Sequence, residues 1–108
     1  VPDERVPEVV LAYEPRWAIG GNEAATPEYV AARHRALREI IRHRCGKDVA
    51  DRTRIIYGGA VNADNGAALI ALPDVDGLFV GRAAWTPEGY ARIVKLVHAA
   101  ALRKAAQA

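Results

Sequence analysis

The 108-residue sequence predicts an α/β fold built from parallel βα units. Three short apolar runs alternate with three helical patterns, and a polar or glycine-containing loop follows each apolar run. Strands and helices that alternate in this way are joined by right-handed crossovers, so the strands lie parallel in one sheet. No linker interrupts the alternation. We therefore expect one domain over residues 1–108.

The first unit begins with the apolar run Val9–Tyr13, whose lack of alternation is typical of a strand buried on both faces. Thr26-Pro27-Glu28 then supplies a helix cap, a proline for the first helical position and an acid for the N-terminal dipole. A helix is predicted from there to about Cys45-Gly46. Its apolar face consists of Val30, His34, Leu37 and Ile41.

The second unit has Arg54–Tyr57 as its strand and a loop that begins at Gly58. Its helix is expected from about Ala63 to Leu72, with Asn62 or Asp64 as the cap. Pro73 would end it, since proline cannot continue a helix.

The third unit has the strand Gly77–Val80, a loop at Gly81-Arg82-Ala83 and a last helix capped by Thr86. The inner face of this helix is predicted to carry Tyr90, Ile93, Val94 and Val97.

Composition excludes several classes of function. The net charge is only +2 and the basic residues are scattered over helices, which gives no sign of a nucleic-acid partner. No apolar stretch approaches the roughly 20 residues that span a bilayer, so we expect no membrane segment. No signal peptide opens the chain, and the lone Cys45 cannot form an internal disulfide, which favours the cytoplasm. No Cys and His set has metal-ligand spacing, and no metal is assigned.

Glu14 is the one carboxylate placed directly at the end of a predicted strand. Enzymes with parallel βα units assemble their active sites at these strand ends, and Pro15 restricts Glu14 to an extended backbone. Position alone leaves two interpretations open: a general base, or a charge in a solvated loop.

Several motifs appear in the order and spacing of the triosephosphate isomerase family, from about Val9 to the C-terminus. They are Tyr13-Glu14-Pro15-Arg16-Trp17-Ala18-Ile19-Gly20, Ala25-Thr26-Pro27, Tyr57-Gly58-Gly59, Val61 to Asn65 and Asp74 to Gly81. The chain resembles the last three βα units of the family's (β/α)8 barrel. The resemblance implies an incomplete barrel of about three strands and three main helices.

The resemblance also implies an activity: aldose–ketose isomerisation of a phosphosugar, without a cofactor, in glycolysis and gluconeogenesis, by a dimeric enzyme. Glu14 would be the base that shuttles a proton across an enediolate, and Pro15 to roughly Glu23 would form a mobile lid. Backbone N–H groups would bind the substrate phosphate at Gly20, Gly59, Ala60, Gly81 and Arg82. Without the resemblance, the Gly-Gly pair would more simply be a tight turn.

Some positions depart from the usual family pattern. The lid reads Gly20-Gly21-Asn22-Glu23 where Gly-Thr-Gly-Lys is common, and Ala60 replaces a serine. Arg16, Arg82 and Trp85 are more similar to the branch that isomerises tetrulose phosphates. The substrate is therefore either glyceraldehyde 3-phosphate/dihydroxyacetone phosphate or a tetrulose phosphate.

Three other residues match structural positions of the family. His34 corresponds to a helix histidine, and Arg38 and Asp76 to an ion pair that joins a helix to the last strand. We expect all three to hold the fold.

Three parallel strands with helices on one face leave the other face of the sheet uncovered. The family's electrophilic histidine, lysine and asparagine come from the first half of the barrel, so the isolated chain is expected to be inactive. Its partner would be a complementary N-terminal half-barrel or further copies of itself. The rival interpretations are a non-catalytic self-associating fragment and a simple phosphate-ligand binder.

Overall fold

A computed structural model of the chain describes residues 1–19 and 24–107. Its strands are β1 (Val10–Tyr13), β2 (Arg54–Tyr57) and β3 (Gly77–Leu78). Its helices are α1 (Pro27–Cys45), α2 (Lys47–Arg52), α3 (Gly66–Ile70) and α4 (Pro87–Gln107). Short 3-10 helices cover Asp3–Glu8, Arg16–Ala18 and Arg82–Ala84.

The strands form one parallel sheet in the order β1-β2-β3. Val10 pairs with Arg54 and Tyr13 with Tyr57, while Tyr57 also pairs with Leu78. The expected α/β architecture of parallel βα units is confirmed. β3 is shorter than the predicted Gly77–Val80, although Phe79 N still donates to Tyr57 O over 2.8 Å.

The helices pack against one face of the sheet. Alternate strand residues point to opposite faces, so every second residue of a strand meets the helices. Ile55 and Leu11 contact a cluster that includes Ile41 of α1 and Ala50 of α2. Tyr13, Tyr57 and Leu78 belong to a second cluster, which α1, α3 and α4 complete with Val30, Leu69, Ile70, Val97 and Ala100. The two clusters form the core.

The other face of the sheet, which we call the open face, carries Val10, Ala12, Arg54, Ile56 and Gly77. Val10 is 48% exposed and Ala12 and Arg54 are exposed as well. The prediction that the first strand is buried on both faces is therefore wrong for the described residues. The apolar run was consistent with burial on two sides, but only one side has helices to cover it.

The observed helix boundaries show which of the local sequence signals predicted a helix correctly. Thr26 caps α1, with its hydroxyl accepting from Tyr29 N over 3.2 Å, and Thr86 accepts from Gly89 N at the start of α4. Helix α2 was not predicted, although the pairs Lys47–Asp51 and Asp48–Arg52 at helical spacing could have indicated it.

Helix α3 begins later and ends earlier than the predicted Ala63 to Leu72. Residues 62–65 form a turn instead, because Asn62 Oδ1 accepts from the backbone N–H groups of Asp64 and Asn65. Asn65 Oδ1 in turn accepts from Asn62 N. Neither Asn62 nor Asp64 is the residue that precedes the first turn of the helix.

Helix α4 also corrects the prediction of its inner face. Ile93 is buried and Val97 packs on the core, as predicted. Tyr90, however, is 60% exposed and Val94 is exposed too. Both line an apolar groove of about 430 Å³ beside Leu78 and Val80, which no described element fills. No helix of the described chain is long and apolar enough to cross a membrane.

Candidate active site

Glu14 follows β1 directly and lies on the side of the open face, since Tyr13 points to the helices. Its side chain rests against the backbone of Gly58: a Cβ on Gly58 would lie 2.8 Å from Glu14 Cγ and 3.2 Å from Oε1. Gly58 N donates to Tyr13 O over 2.8 Å, which joins the two strand ends. Glycine at position 58 therefore leaves room for the carboxylate beside the neighbouring loop.

The carboxylate opens onto a groove of about 350 Å³, which we call the Glu14 groove. The segments after all three strands contribute to it. Its lining residues are Glu14, Ala18, Ile19, Ala24, Gly58, Gly59, Ala60, Val61, Asn62, Phe79, Gly81, Arg82 and Ala83.

Most of the residues predicted to bind phosphate lie in two segments that both line this groove. Gly59 and Ala60 come from the loop after β2, and Gly81 and Arg82 from the segment after β3. The structure therefore brings four of the five predicted phosphate positions into one cavity with Glu14. Gly20, like the rest of the predicted lid from Gly20 to Glu23, lies outside the described residues.

The loop after β2 is held in shape by its own side chains. Asn65 Nδ2 donates to Ala60 O over 2.9 Å, and the Asn62 and Asn65 amides bond to each other's backbone N–H groups. Side-chain bonds of this local kind replace a helix with a fixed turn. The backbone N–H groups of the loop thus have a defined direction.

The Tyr57 side chain limits which residue the same loop can carry at position 59. A Cβ on Gly59 would collide with the Tyr57 hydroxyl, so this position needs glycine. That hydroxyl is buried and has no hydrogen-bond partner among the described residues. Burial raises the pKa of Tyr57, which keeps the phenol neutral behind the loop.

Gly58 and Phe79 are among the contributors to the groove that sequence reasoning missed. Phe79 lies two residues beyond Gly77, and strand alternation would have placed it on the open face. Its ring adds to the apolar part of the Glu14 groove, which also includes Ile19 and Val61. An apolar wall strengthens electrostatic interactions inside a site from which it excludes water.

His34 has a structural position, as the sequence predicted. It is fully buried, and its ring packs at 5.8 Å from that of Tyr13 and 6.1 Å from that of Tyr57. Nδ1 donates to Asp74 O over 3.1 Å, because a carbonyl can only accept. Desolvation lowers the pKa of His34. The ring is not among the residues that line the Glu14 groove.

The predicted ion pair between Arg38 and Asp76 is confirmed, with Nη2 to Oδ2 at 2.6 Å. The sequence did not reveal the rest of the network. Arg38 Nε also bonds Asp74 at 2.9 Å, and Nη1 donates to the carbonyls of Ala50 and Thr53. One guanidinium therefore joins α1 to the segments before β2 and β3.

No group of three or more His, Cys, Asp or Glu side chains within residues 1–19 and 24–107 is arranged to hold a metal ion. Cys45 is a free, partly buried thiol, and burial raises its pKa. A raised pKa makes the thiolate scarcer at neutral pH.

Comparison with known proteins gives a consistent result. The sequence model of the family described as triosephosphate isomerase matches residues 1–97. Triosephosphate isomerase of Solibacter usitatus is 47% identical over 92 residues, which cover 85% of this chain and 37% of that protein. The probable triosephosphate isomerase 2 of Listeria monocytogenes is 49% identical over 89 residues, 82% of this chain and 34% of that protein.

A relative with a different name is similar to the same degree. L-erythrulose-1-phosphate isomerase of Rhizobium etli is 47% identical over 93 residues, which cover 85% of this chain and 33% of that protein. The chain thus spans about a third of the length of the curated relatives it matches.

Proposed function

Because the chain belongs to the triosephosphate isomerase family, we propose that it forms the base-bearing part of an aldose–ketose isomerase that acts on a phosphosugar. One observation carries the proposal: Glu14 and the two glycine-containing loops line a single groove at the carboxyl ends of parallel strands. Active sites of barrel enzymes lie at this end of the strands.

The proposed chemistry follows from the residue types. The Glu14 carboxylate takes a proton from the carbon beside the substrate carbonyl, and returns it to the neighbouring carbon of the resulting enediolate. Backbone N–H groups at Gly59, Ala60, Gly81 and Arg82 would bind the phosphate and so fix the distance between the reacting carbons and Glu14. Gly20 would complete this set. No cofactor or metal is needed for this balance, because one proton moves between the adjacent carbons, another moves between their oxygens, and no electrons leave the substrate.

The isolated chain lacks part of this machinery. No His or Lys is among the described residues that line the Glu14 groove, so nothing there takes the place of the family's electrophilic histidine and lysine. Stabilising the developing oxyanion is usually the largest single contribution to catalysis. We therefore propose that turnover requires the remaining part of the barrel, and that the 108 residues alone are inactive.

Two substrates fit the proposal, a triose phosphate and a tetrulose phosphate. The relatives carry both names, since one is a triosephosphate isomerase and another an L-erythrulose-1-phosphate isomerase. The tetrulose branch is supported by Arg16, Arg82 and Trp85, of which Arg82 lines the groove. A place in glycolysis and gluconeogenesis follows only from the triose substrate. In either case we propose a cytoplasmic protein that folds as one domain.

The test is an activity assay of the chain co-expressed with a polypeptide that supplies the first part of a family barrel. We expect isomerisation of one of the two substrates by the assembly and none by either polypeptide alone. Glu14→Gln should lower kcat at least about 100-fold, the lower range for a lost general base. Glu28→Gln, an exposed acid in the first turn of α1, is the matched control. An inactive assembly, or an active E14Q assembly, contradicts the proposal.

A second candidate is a non-catalytic fragment that associates with its own copies. The exposed Val10 on the open face favours it, because an uncovered sheet face tends to find a partner. Sedimentation at micromolar concentration tests this candidate, since a well-folded monomer would contradict self-association.

Simple binding of a phosphate ligand is a third candidate. Calorimetric titration of the chain with phosphoglycolate tests it. If the titration shows no heat of binding, this hypothesis is excluded.

A further inference from the structure

Tyr29, in the first turn of α1, contacts residues on both sides of Glu14. Its hydroxyl lies 3.2 Å from the hydroxyl of Tyr13, the residue before Glu14. Its ring meets that of Trp17, three residues after Glu14, edge to face with centroids 5.4 Å apart. One side chain therefore touches both flanks of the strand end that carries the carboxylate.

Tyr29 is itself well fixed. Its backbone N–H is the one that the Thr26 hydroxyl caps, and the Arg33 guanidinium lies over its ring at 5.1 Å from the centroid. A capped first turn and a cation above the ring leave the phenol few alternative positions. It can therefore serve as a fixed support for the more exposed Trp17.

Trp17 belongs to the 3-10 helix Arg16–Ala18, and the residues beside it form part of the Glu14 groove. Ala18 and Ile19 line that groove, whereas Trp17 does not. The indole thus lies on the outer side of the turn and the groove on the inner side. Because Trp17 directly precedes Ala18 and Ile19, a displacement of the indole would also displace this wall of the groove.

We propose that Tyr29 is a positioning residue: by holding Tyr13 and Trp17 it fixes the Glu14 carboxylate over Gly58 and the Ala18–Ile19 wall of the groove. Its effect on catalysis rests on the proposed isomerase function, whereas the anchoring of Trp17 does not.

The electrostatics of the cluster provide a spectroscopic handle. The hydrogen bond with Tyr13, followed by that with Trp17, lowers the pKa of Tyr29. Burial, followed by the bond to Tyr29, raises the pKa of Tyr13 to about 12. The groups that face Tyr29 are Tyr13 from β1, Tyr57 from β2, Trp17 from the turn and Arg33 from its own helix. Tyr29 therefore ionises first, beside the indole.

The experiment follows Trp17 emission against pH in the full chain, in a Trp85→Phe background that leaves Trp17 as the single tryptophan. A tyrosinate next to an indole quenches it. We expect quenching with a midpoint below the ordinary tyrosine value of about 10. Tyr29→Phe should abolish this step, and the matched control Tyr90→Phe, on the exposed side of α4, should retain it.

Tyr13→Phe provides a second variant should Tyr29→Phe fail to fold. It removes the main cause of the lowered Tyr29 pKa, so the midpoint should rise while the step remains. A step that persists unchanged in Tyr29→Phe, or a midpoint that Tyr13→Phe leaves in place, overturns the inference.

The catalytic part is read in the co-expressed assembly with both tryptophans present. Tyr29→Phe should lower kcat about tenfold with KM within about twofold, because a shifted base slows proton transfer while the phosphate loops stay intact. An active assembly whose kcat is the same in Tyr29→Phe and Tyr90→Phe overturns the inference but not the isomerase function. An inactive parent assembly overturns the function, and the Trp17 titration then decides only whether the Tyr29 hydroxyl lies beside Trp17.

Discussion

Buried polar side chains hold the helices to the strand ends in this chain. His34, Arg38 and Thr53 are the buried polar residues of the described part, and each bonds a backbone carbonyl. Such groups stay favourable only while their partners remain, since an unsatisfied buried polar atom is costly. His34 meets this condition at one ring nitrogen: Nδ1 has its carbonyl, whereas Nε2 is buried and has no hydrogen-bond partner among the described residues.

The histidine should make stability depend on pH. Burial lowers the pKa of His34 in the folded state, so below its unfolded value of about 6.5 the unfolded chain binds a proton that the folded chain refuses. Stability is therefore fully present above about pH 6.5 and declines as the pH falls towards the lowered folded pKa. Urea denaturation at pH 7.5 and at pH 5.5 should show a lower midpoint at the acidic pH.

The matching variant is His34→Asn, whose amide can still donate to Asp74 O. It should be less stable than the parent at both pH values because the smaller side chain leaves a cavity, but its midpoint should change less between them. His98→Asn, at an exposed position, should keep the parent's pH dependence. An unchanged dependence in His34→Asn would show that another group causes it.

At the scale of elements, the helices begin at local signals and end where the backbone must turn. Thr26 and Thr86 satisfy N–H groups within their own first turns. Gly46, between α1 and α2, has φ 94° and ψ 164°, a conformation that is essentially restricted to glycine. The reversal between the two helices depends on this residue.

Gly46→Ala should therefore lower the free energy of unfolding by about 1–3 kcal/mol through backbone strain alone. Apart from the adjoining backbone, no atom of the described residues lies within 4 Å of the added Cβ, so steric contact does not contribute. The control is Gly66→Ala in α3, where the nearest atom would be Leu78 Cδ1 at an ordinary 3.7 Å. Chemical denaturation of both variants provides the measurement, and equal stabilities would contradict the strain argument.

At the scale of the whole molecule, the two faces of the sheet differ: helices cover one face, and the open face is exposed. Lys104, near the end of α4, donates to the carbonyls of Ile70 and Val75 at 3.0 and 2.7 Å, which ties the last helix to the core. Burial lowers the pKa of this lysine. Within residues 1–19 and 24–107, no comparable layer covers the open face. Apolar side chains such as Val10 are therefore available for association.

We expect the isolated chain to sediment above its monomer mass of 11.7 kDa at micromolar concentration, with the open face in the contact. Val10→Lys places a charge on that face and should shift the distribution towards monomer. Ile40→Lys is the matched control, because Ile40 is 63% exposed on α1, on the helical side of the sheet. If I40K dissociates the chain as strongly as V10K, the contact lies elsewhere.

The sequence by itself determined the features that depend on neighbours along the chain. The alternation of strands and helices, the threonine caps and the position of Glu14 at a strand end all follow from residues within a few positions of each other. Motif spacing also identified the family, and the roles of Glu14 and of the phosphate positions remain predictions.

Tertiary structure decided what distant segments bring together. Gly58 lies under Glu14, Tyr29 reaches Tyr13, and Lys104 reaches Val75, across separations that no local pattern encodes. Tertiary structure also decided that Tyr90 and Val94 are exposed. Apolar residues at helical spacing indicate an apolar face of the helix but do not show whether another element covers that face. The physical reason is that capping and turn energies are local, whereas burial depends on which other elements of the fold are present to exclude water.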